Sequence, residues 1–306
     1  MPDSPQELGD RTLHDCRMRL ARFWTRAQAQ SVSRKGKVFK VSARGWSDDS
    51  VEAAYQCALD LASKVADRVA SGLTTKHRYP YAEKPLPEPV VQRLGADGGG
   101  ASAIVTRNAY GALVLNTDQL MFVDIDRPGY QGSAPTLGTI FSSLFSKPKA
   151  QEQPADDAAT LDAVKNVVQR HDLSARVYET AGGHRLIVTN APFKAGDPDA
   201  ESLLAEFGSD PLYVRLCRSQ DSFRARLTPK PWRCRMSNPP VEFPFETPQV
   251  QERYDRWLAG YEAKIALLAT CRFVKTIGVE SVAPGFDELI RYHDEQTKAT
   301  SGLKLA

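Results

Sequence analysis

Two aspartates close the most apolar strand of the chain. The run Asp118-Gln119-Leu120-Met121-Phe122-Val123-Asp124-Ile125-Asp126-Arg127-Pro128 reads as a buried strand stopped by proline. Strand alternation puts Asp124 and Asp126 on one face and Val123 and Ile125 on the other. Two ionised carboxylates this close repel each other and resist desolvation, so they call for a counter-charge. A hard divalent cation bound through oxygen supplies it, and the expected ion is Mg2+ or Mn2+. Spacing alone does not carry that reading, because Asp197-Pro198-Asp199 repeats it in what reads as a loop. The setting carries it, together with two segments downstream.

The first of these is Val177-Tyr178-Glu179-Thr180-Ala181-Gly182-Gly183-His184-Arg185-Leu186-Ile187-Val188-Thr189. β-Favouring residues on both sides of Gly182-Gly183 predict a hairpin whose tight turn tolerates positive φ, with His184 opening the return strand. Such a mouth suits a phosphate: backbone amides donate, and His184 or Arg185 adds a directional or charged contact. The two side chains point to opposite faces, so one of them looks into the site; an ordinary hairpin with a surface histidine stays open. The second segment holds seven basic residues and one acidic residue between Arg215 and Arg235, in a chain whose net charge is only +3. Within it Arg224-Ala225-Arg226 alternates as a strand, placing two guanidiniums on one face. Thr228-Pro229-Lys230-Pro231-Trp232 then reads as a stiff extended stretch presenting a lysine and an indole. Guanidiniums fork onto phosphate oxygens and an aromatic ring stacks on a base, whereas a solvated basic edge strand is the plainer alternative.

In this order the three segments resemble the archaeo-eukaryotic primase superfamily. The resemblance rests on the apolar strand ending in Asp124-Ile125-Asp126, the small-residue turn leading to His184 and an apolar strand, and an acid ahead of Arg224-Ala225-Arg226-Leu227-Thr228-Pro229-Lys230. It covers about residues 103–235 of 306. It implies that Asp124, Asp126 and Asp210 bind the divalent metals and that His184 contacts the phosphates of the incoming nucleotide. Arg224, Arg226 and Lys230 would bind triphosphate or template. The third acid is open between Asp210, which precedes Pro211 ahead of a predicted strand, and Asp221 inside the basic run. The zinc knuckle of several primases is missing, because Cys16, Cys57, Cys217, Cys234 and Cys271 show no paired spacing and read as reduced buried thiols. The implied partners are nucleoside triphosphates and DNA or RNA, and the implied reaction is metal-dependent nucleotidyl transfer. A non-catalytic nucleotide or nucleic-acid binding protein with a degenerate primase-like core is one alternative; a metal-dependent nuclease is another.

The elements that must position these residues suggest an α+β fold: a mixed, mainly antiparallel sheet flanked by helices. Leu13, Cys16, Leu20, Phe23 and Ala27 have helical spacing over 10–28. A strand follows over 36–46, then a helix capped at Ser47-Asp48-Asp49 and running to about Ala70. A Pro- and Gly-rich connector spans 74–101. Residues 103–107, 110–115 and 120–126 predict one antiparallel meander. Residues 128–158 read as a mobile insertion, followed by helices near 160–170, 200–207, 250–268 and 284–298. The predicted organisation is an N-terminal unit with connector (1–100), a catalytic core (101–245) and C-terminal helices packing on it (246–306). A content of 42% hydrophobic and 25% charged residues fits a folded globular chain. No run approaches the ~18 apolar residues of a membrane span. Residues 1–5 lack the basic and apolar regions of a leader, so the expectation is cytoplasmic. No nucleotide-binding glycine loop and no Ser-His-Asp or Cys-His set is recognisable.

Overall fold

A computed structural model describes residue 18 and residues 21–72, 85–95, 103–127 and 154–306. An antiparallel ribbon, β1 (Phe23–Val32) and β2 (Val38–Ser47), precedes α1 (Val51–Ala70). Ser50, not the Ser47-Asp48-Asp49 triplet, caps α1, its hydroxyl accepting from Ala53 N at 3.0 Å. Then come β3 (Val90–Leu94), β4 (Ala103–Arg107), β5 (Leu113–Thr117) and β6 (Phe122–Asp126). They are followed by α2 (Pro154–Arg170), β7 (Ser174–Thr180), β8 (Gly183–Val188), α3 (Pro198–Glu206), α4 (Pro211–Gln220) and β9 (Phe223–Arg226). The chain ends with α5 (Pro248–Ile265), β10 (Leu268–Ala269), β11 (Cys271–Gly278), α6 (Phe286–Thr297) and β12 (Lys304–Leu305).

The fold is α+β. Two four-stranded antiparallel sheets, ordered β3-β4-β5-β9 and β11-β7-β8-β6, share one apolar core with α2, α3, α4 and α6. Among the described residues only the short β10–β12 pair is parallel. The expected single meander splits: β4 and β5 form the hairpin, but β6 crosses to the other sheet and pairs with β8. The crossing is made at 118–121, where Thr117 Oγ1 donates to Leu120 O at 2.7 Å. The first sheet therefore ends at Arg226 on β9 and the second at Asp126 on β6. Arg226 thus comes to the site from one sheet and Asp124 and Asp126 from the other, the sheet that also carries His184 and Arg185 on β8.

Other expectations shift as well. Most of the helix predicted over 10–28 lies outside the described residues, and its last part is strand β1. Phe23 and Ala27 are four apart, a spacing that satisfies both a helix face and a strand face, and pairing with β2 decides it. The segment after Asp210 is helix α4, not strand. Asp210-Pro211 is its cap and first residue, with Asp210 Oδ1 accepting from Leu212 N at 3.0 Å. Within the expected connector, residues 85–95 belong to the core, since Leu86 and Glu88 are buried and β3 joins the sheet. The C-terminal segment supplies strand β11 as well as helices, and Leu268 sits in β10. Residues 128–153 of the expected insertion lie outside the described residues; from 154 onward it is α2. Cys57 is exposed, whereas Cys217, Cys234 and Cys271 are buried thiols. Among the described residues no helix is long and apolar enough to cross a membrane.

Candidate functional site

The C-terminal ends of β6 and β9 and the start of α4 surround a cavity of about 500 Å3. Asp124, Asp126, Asp210, His184, Arg185, Arg226 and Lys230 all line it, joined by Arg233.

On β6, Asp124 stands opposite Arg185 and Asp126 opposite Gly183. Asp124 Oδ1 accepts from Arg185 Nε at 2.9 Å, and Arg185 Nη1 donates to Arg226 O at 2.8 Å, tying the two sheets together. Arg185 is only 1% exposed. Burial opposes its charge, but the facing Asp124 carboxylate outweighs this and holds the guanidinium above its ordinary range. Asp124 is therefore half metal-ligand candidate and half structural counter-ion. Asp126 has no such tie. Burial first, then repulsion from Asp124 and Asp210, raises its pKa, against the pull of Lys230 and Arg233.

Asp210, not Asp221, completes the acidic wall. Its amide donates to Asp124 O at 3.2 Å and Ser209 Oγ to the same oxygen at 3.3 Å, so the α4 N-terminus is pinned to the aspartate strand. Asp221 ends α4 and faces a separate cavity with Lys194, Arg215 and Arg218. Gly183 serves close approach and not a positive φ: a Cβ there would collide with Ile125 O on β6.

The opposite wall is cationic. Arg226 lies among Arg185, Arg233 and Lys230, and its Nε is buried with no hydrogen-bond partner. Burial, then repulsion from Arg185 and Arg233, lowers its pKa to about 10. Burial, then Arg226 and Arg233, lowers Lys230 to about 8, against the attraction of Asp126 and Asp124. Lys230 Nζ also lies 5.3 Å from the centre of the Trp232 ring. In the sequence Arg233 is one of the seven basic residues of the 215–235 run, with no local pattern that marks it. The turn Pro231–Cys234 is a 3-10 helix, and its three-residue repeat brings Arg233 to the side of Lys230.

Two expectations change. Arg224 does not line the cavity. Its Nη2 donates to Glu88 Oε1 at 2.9 Å and Oε2 at 2.8 Å, in an ion pair whose side chains are 6% and 3% exposed. It shares its strand face with Arg226, but Glu88 from the expected connector has claimed it. His184 and Arg185 both border the cavity, from opposite faces of β8. Arg185 is on the aspartate face, whereas His184 stands opposite Ile125 and Glu179, near Asp157 and Arg127. Burial, the largest influence, pushes the imidazole below its ordinary range against Asp157 and Glu179, so it is neutral near pH 7. Arg127, held by Asp157 at 3.0 Å and Glu179 at 3.5 Å, is the cation on that side.

Among the described residues no three His, Cys, Asp or Glu side chains converge on a ready-made metal cage. The donors nevertheless suit a hard cation. They are all oxygen, and Asp126, raised by burial first and then by Asp124 and Asp210, would be relieved by a cation beside it. Mg2+ is commonly bound through one or two carboxylates, with waters and substrate phosphates completing its shell. Asp126 and Asp210, with Asp124, meet that requirement. No family model, no curated protein and no solved structure matches this chain.

Proposed function

We propose that the chain carries out metal-dependent nucleotidyl transfer of the primase-polymerase kind on DNA or RNA. One observation carries the reading: Asp124, Asp126 and Asp210 face one cavity together with Arg226, Lys230 and Arg233, and the Arg226 Nε there is buried with no hydrogen-bond partner. A buried guanidinium nitrogen without an acceptor is costly and is expected where an anionic ligand completes the site. Arg226, Lys230 and Arg233 bind and orient the triphosphate oxygens. Asp126 and Asp210, with Asp124, would hold Mg2+ or Mn2+, which supplies acidification of the attacking 3′-hydroxyl and offsets charge developing at the phosphate. His184, being neutral, offers a hydrogen bond without adding charge. The Asp124–Arg185 pair favours a second reading, a non-catalytic nucleotide-binding protein, because it commits one of the three carboxylates.

The test incubates the protein with Mn2+, labelled nucleotides and a single-stranded template. Strand extension that is abolished by chelation and by Asp126→Asn is expected. Products that only shorten would indicate hydrolysis, and unchanged strands with retained triphosphate binding would select the second reading. Because the cation is shared with substrate, Mn2+ is expected to bind at least tenfold tighter with triphosphate present. A tight Mn2+ site indifferent to nucleotide would contradict this arrangement.

The cation wall also sets a proton signature. Lys230 titrates near pH 8 in the free protein. A bound phosphate favours its charged form and returns its pKa toward the ordinary lysine value. Triphosphate binding at pH 8.5 should therefore take up protons, and affinity should fall as pH rises past about 8. Calorimetry in two buffers of different ionisation enthalpy reads the uptake directly. No uptake, or the same uptake in Lys230→Met, would remove Lys230 from the phosphate site.

A further inference from the structure

From Arg22 to Ser47 the chain carries seven arginines and lysines and no acidic residue. This stretch is the β1–β2 ribbon. One of its faces is used up: it lies on α1, whose Ala54, Ala58, Ala62 and Ala66 are fully buried, and Gly45 admits the helix backbone so closely that a Cβ would collide with Ala58. The near half of the other face is also occupied. Arg26 donates to Pro244 O at 3.0 Å and to Glu242 O at 2.9 Å, Arg44 pairs with Glu242, and Trp24 packs on Phe243. The ribbon is thus fixed at its base. Its far half projects with Gln28, Gln30, Lys40 and Ser42 exposed on the outer face beside the exposed pair Val32 and Val38, and the turn beyond them carries Arg34, Lys35 and Lys37, also exposed.

We propose that this far half is a second nucleic-acid-binding surface that enters a groove of a double helix. The strands of a ribbon are ~4.8 Å apart, which with side chains fits a major groove ~12 Å wide. Five residues at ~3.4 Å each reach about five base-pair steps. Amide and hydroxyl side chains on the outer face match the donors and acceptors of base edges, and the cations at the tip match the flanking phosphates. A duplex is favoured over a single strand because the outer far half presents no aromatic ring for base stacking; Phe39 lies on the helix side, beneath Lys37 Nζ at 5.1 Å. The inference does not depend on the chemistry of the cleft. It gives the protein a hold on duplex separate from the site that would take nucleotide.

The test measures binding of the full chain to a fluorescent 20-base-pair duplex without nucleotide, at 50–200 mM salt. Arg34→Ala with Lys35→Ala and Lys37→Ala should lower the log–log salt slope by about 2–3, at ~0.9 per lost phosphate contact. Lys40→Glu alone should weaken binding about tenfold or more by placing like charge against the phosphates. The ribbon variants should leave triphosphate binding unchanged, which separates failure here from failure of the cleft reading. All the ribbon substitutions are at exposed positions, so melting temperatures equal to the parent's verify the fold. An unchanged slope in the triple variant overturns the proposal, as does tighter binding to a single strand of the same sequence. Binding to anionic phospholipid vesicles with none to duplex overturns it as well.

Discussion

Replacing Arg226 and Lys230 together by methionine is expected to weaken triphosphate binding by two to three orders of magnitude and to raise the melting temperature of the ligand-free protein. Each charged hydrogen bond to phosphate contributes about 1.5–3 kcal/mol. At ~1.4 kcal/mol per tenfold, two such contacts amount to roughly a hundredfold or more. The stability change has the opposite sign because Arg226 keeps a buried Nε without a partner and is repelled by Arg185 and Arg233. Methionine fills similar volume with no charge to desolvate. Calorimetry for affinity and thermal melting for stability provide the two readouts. A lower melting temperature with unchanged affinity would mean that these cations hold the fold and do not serve a ligand.

Arg224→Ala should behave in the contrary manner. It is expected to destabilise the protein by about 3–5 kcal/mol, the cost of stranding one member of a buried ion pair. Glu88, at 3% exposure, would be left in the core without its guanidinium partner, with the Thr106 hydroxyl donating to it at 2.6 Å. Triphosphate affinity and its salt slope, measured on the folded fraction, should not move, since Arg224 does not line the cleft. Removing both partners, as Glu88→Gln with Arg224→Met, should recover most of the loss. Denaturant melts of the two single variants and the double variant form the cycle that decides it. A salt slope lowered by Arg224→Ala alone would restore this residue to the phosphate contacts. The same reasoning separates the aspartates: substituting Asp124 strands the buried Arg185 guanidinium, so its effect on activity is confounded by stability. Asp126 has no such partner to strand and is the cleaner probe of metal binding.

Much of this arrangement follows from short-range pattern. Alternation over Phe122–Asp126 puts both aspartates at a strand end on one face, and the Gly182-Gly183 turn brings β7 and β8 together as a hairpin. Periodicity also suffices for the helices over Val51–Ala70, Pro248–Ile265 and Phe286–Thr297, each within a few residues. One local signal was present but outweighed by apolar content. Asp210-Pro211 is a helix cap, which puts Asp210 at a helix start and Asp221 at the far end, about 16 Å away at 1.5 Å per residue.

The rest was settled by contacts that no local period encodes. Whether β6 continues the β4–β5 meander or crosses to β8 depends on which partner its apolar face buries best, and the same five residues serve either sheet. Glu88 reaches Arg224 across 136 positions of sequence, and Asp124 reaches Arg185 across 61. In the sequence each is simply one charge among many. Buried charge must find its opposite, so the fold chose which arginines became structural and which stayed in the cleft. Sequence alone determined the kinds of groups present and the strand faces that carry them. Tertiary structure decided that Arg226, Lys230 and Arg233 share one cavity with Asp126 and Asp210, because it brings β6 and β9, edge strands of different sheets, into contact.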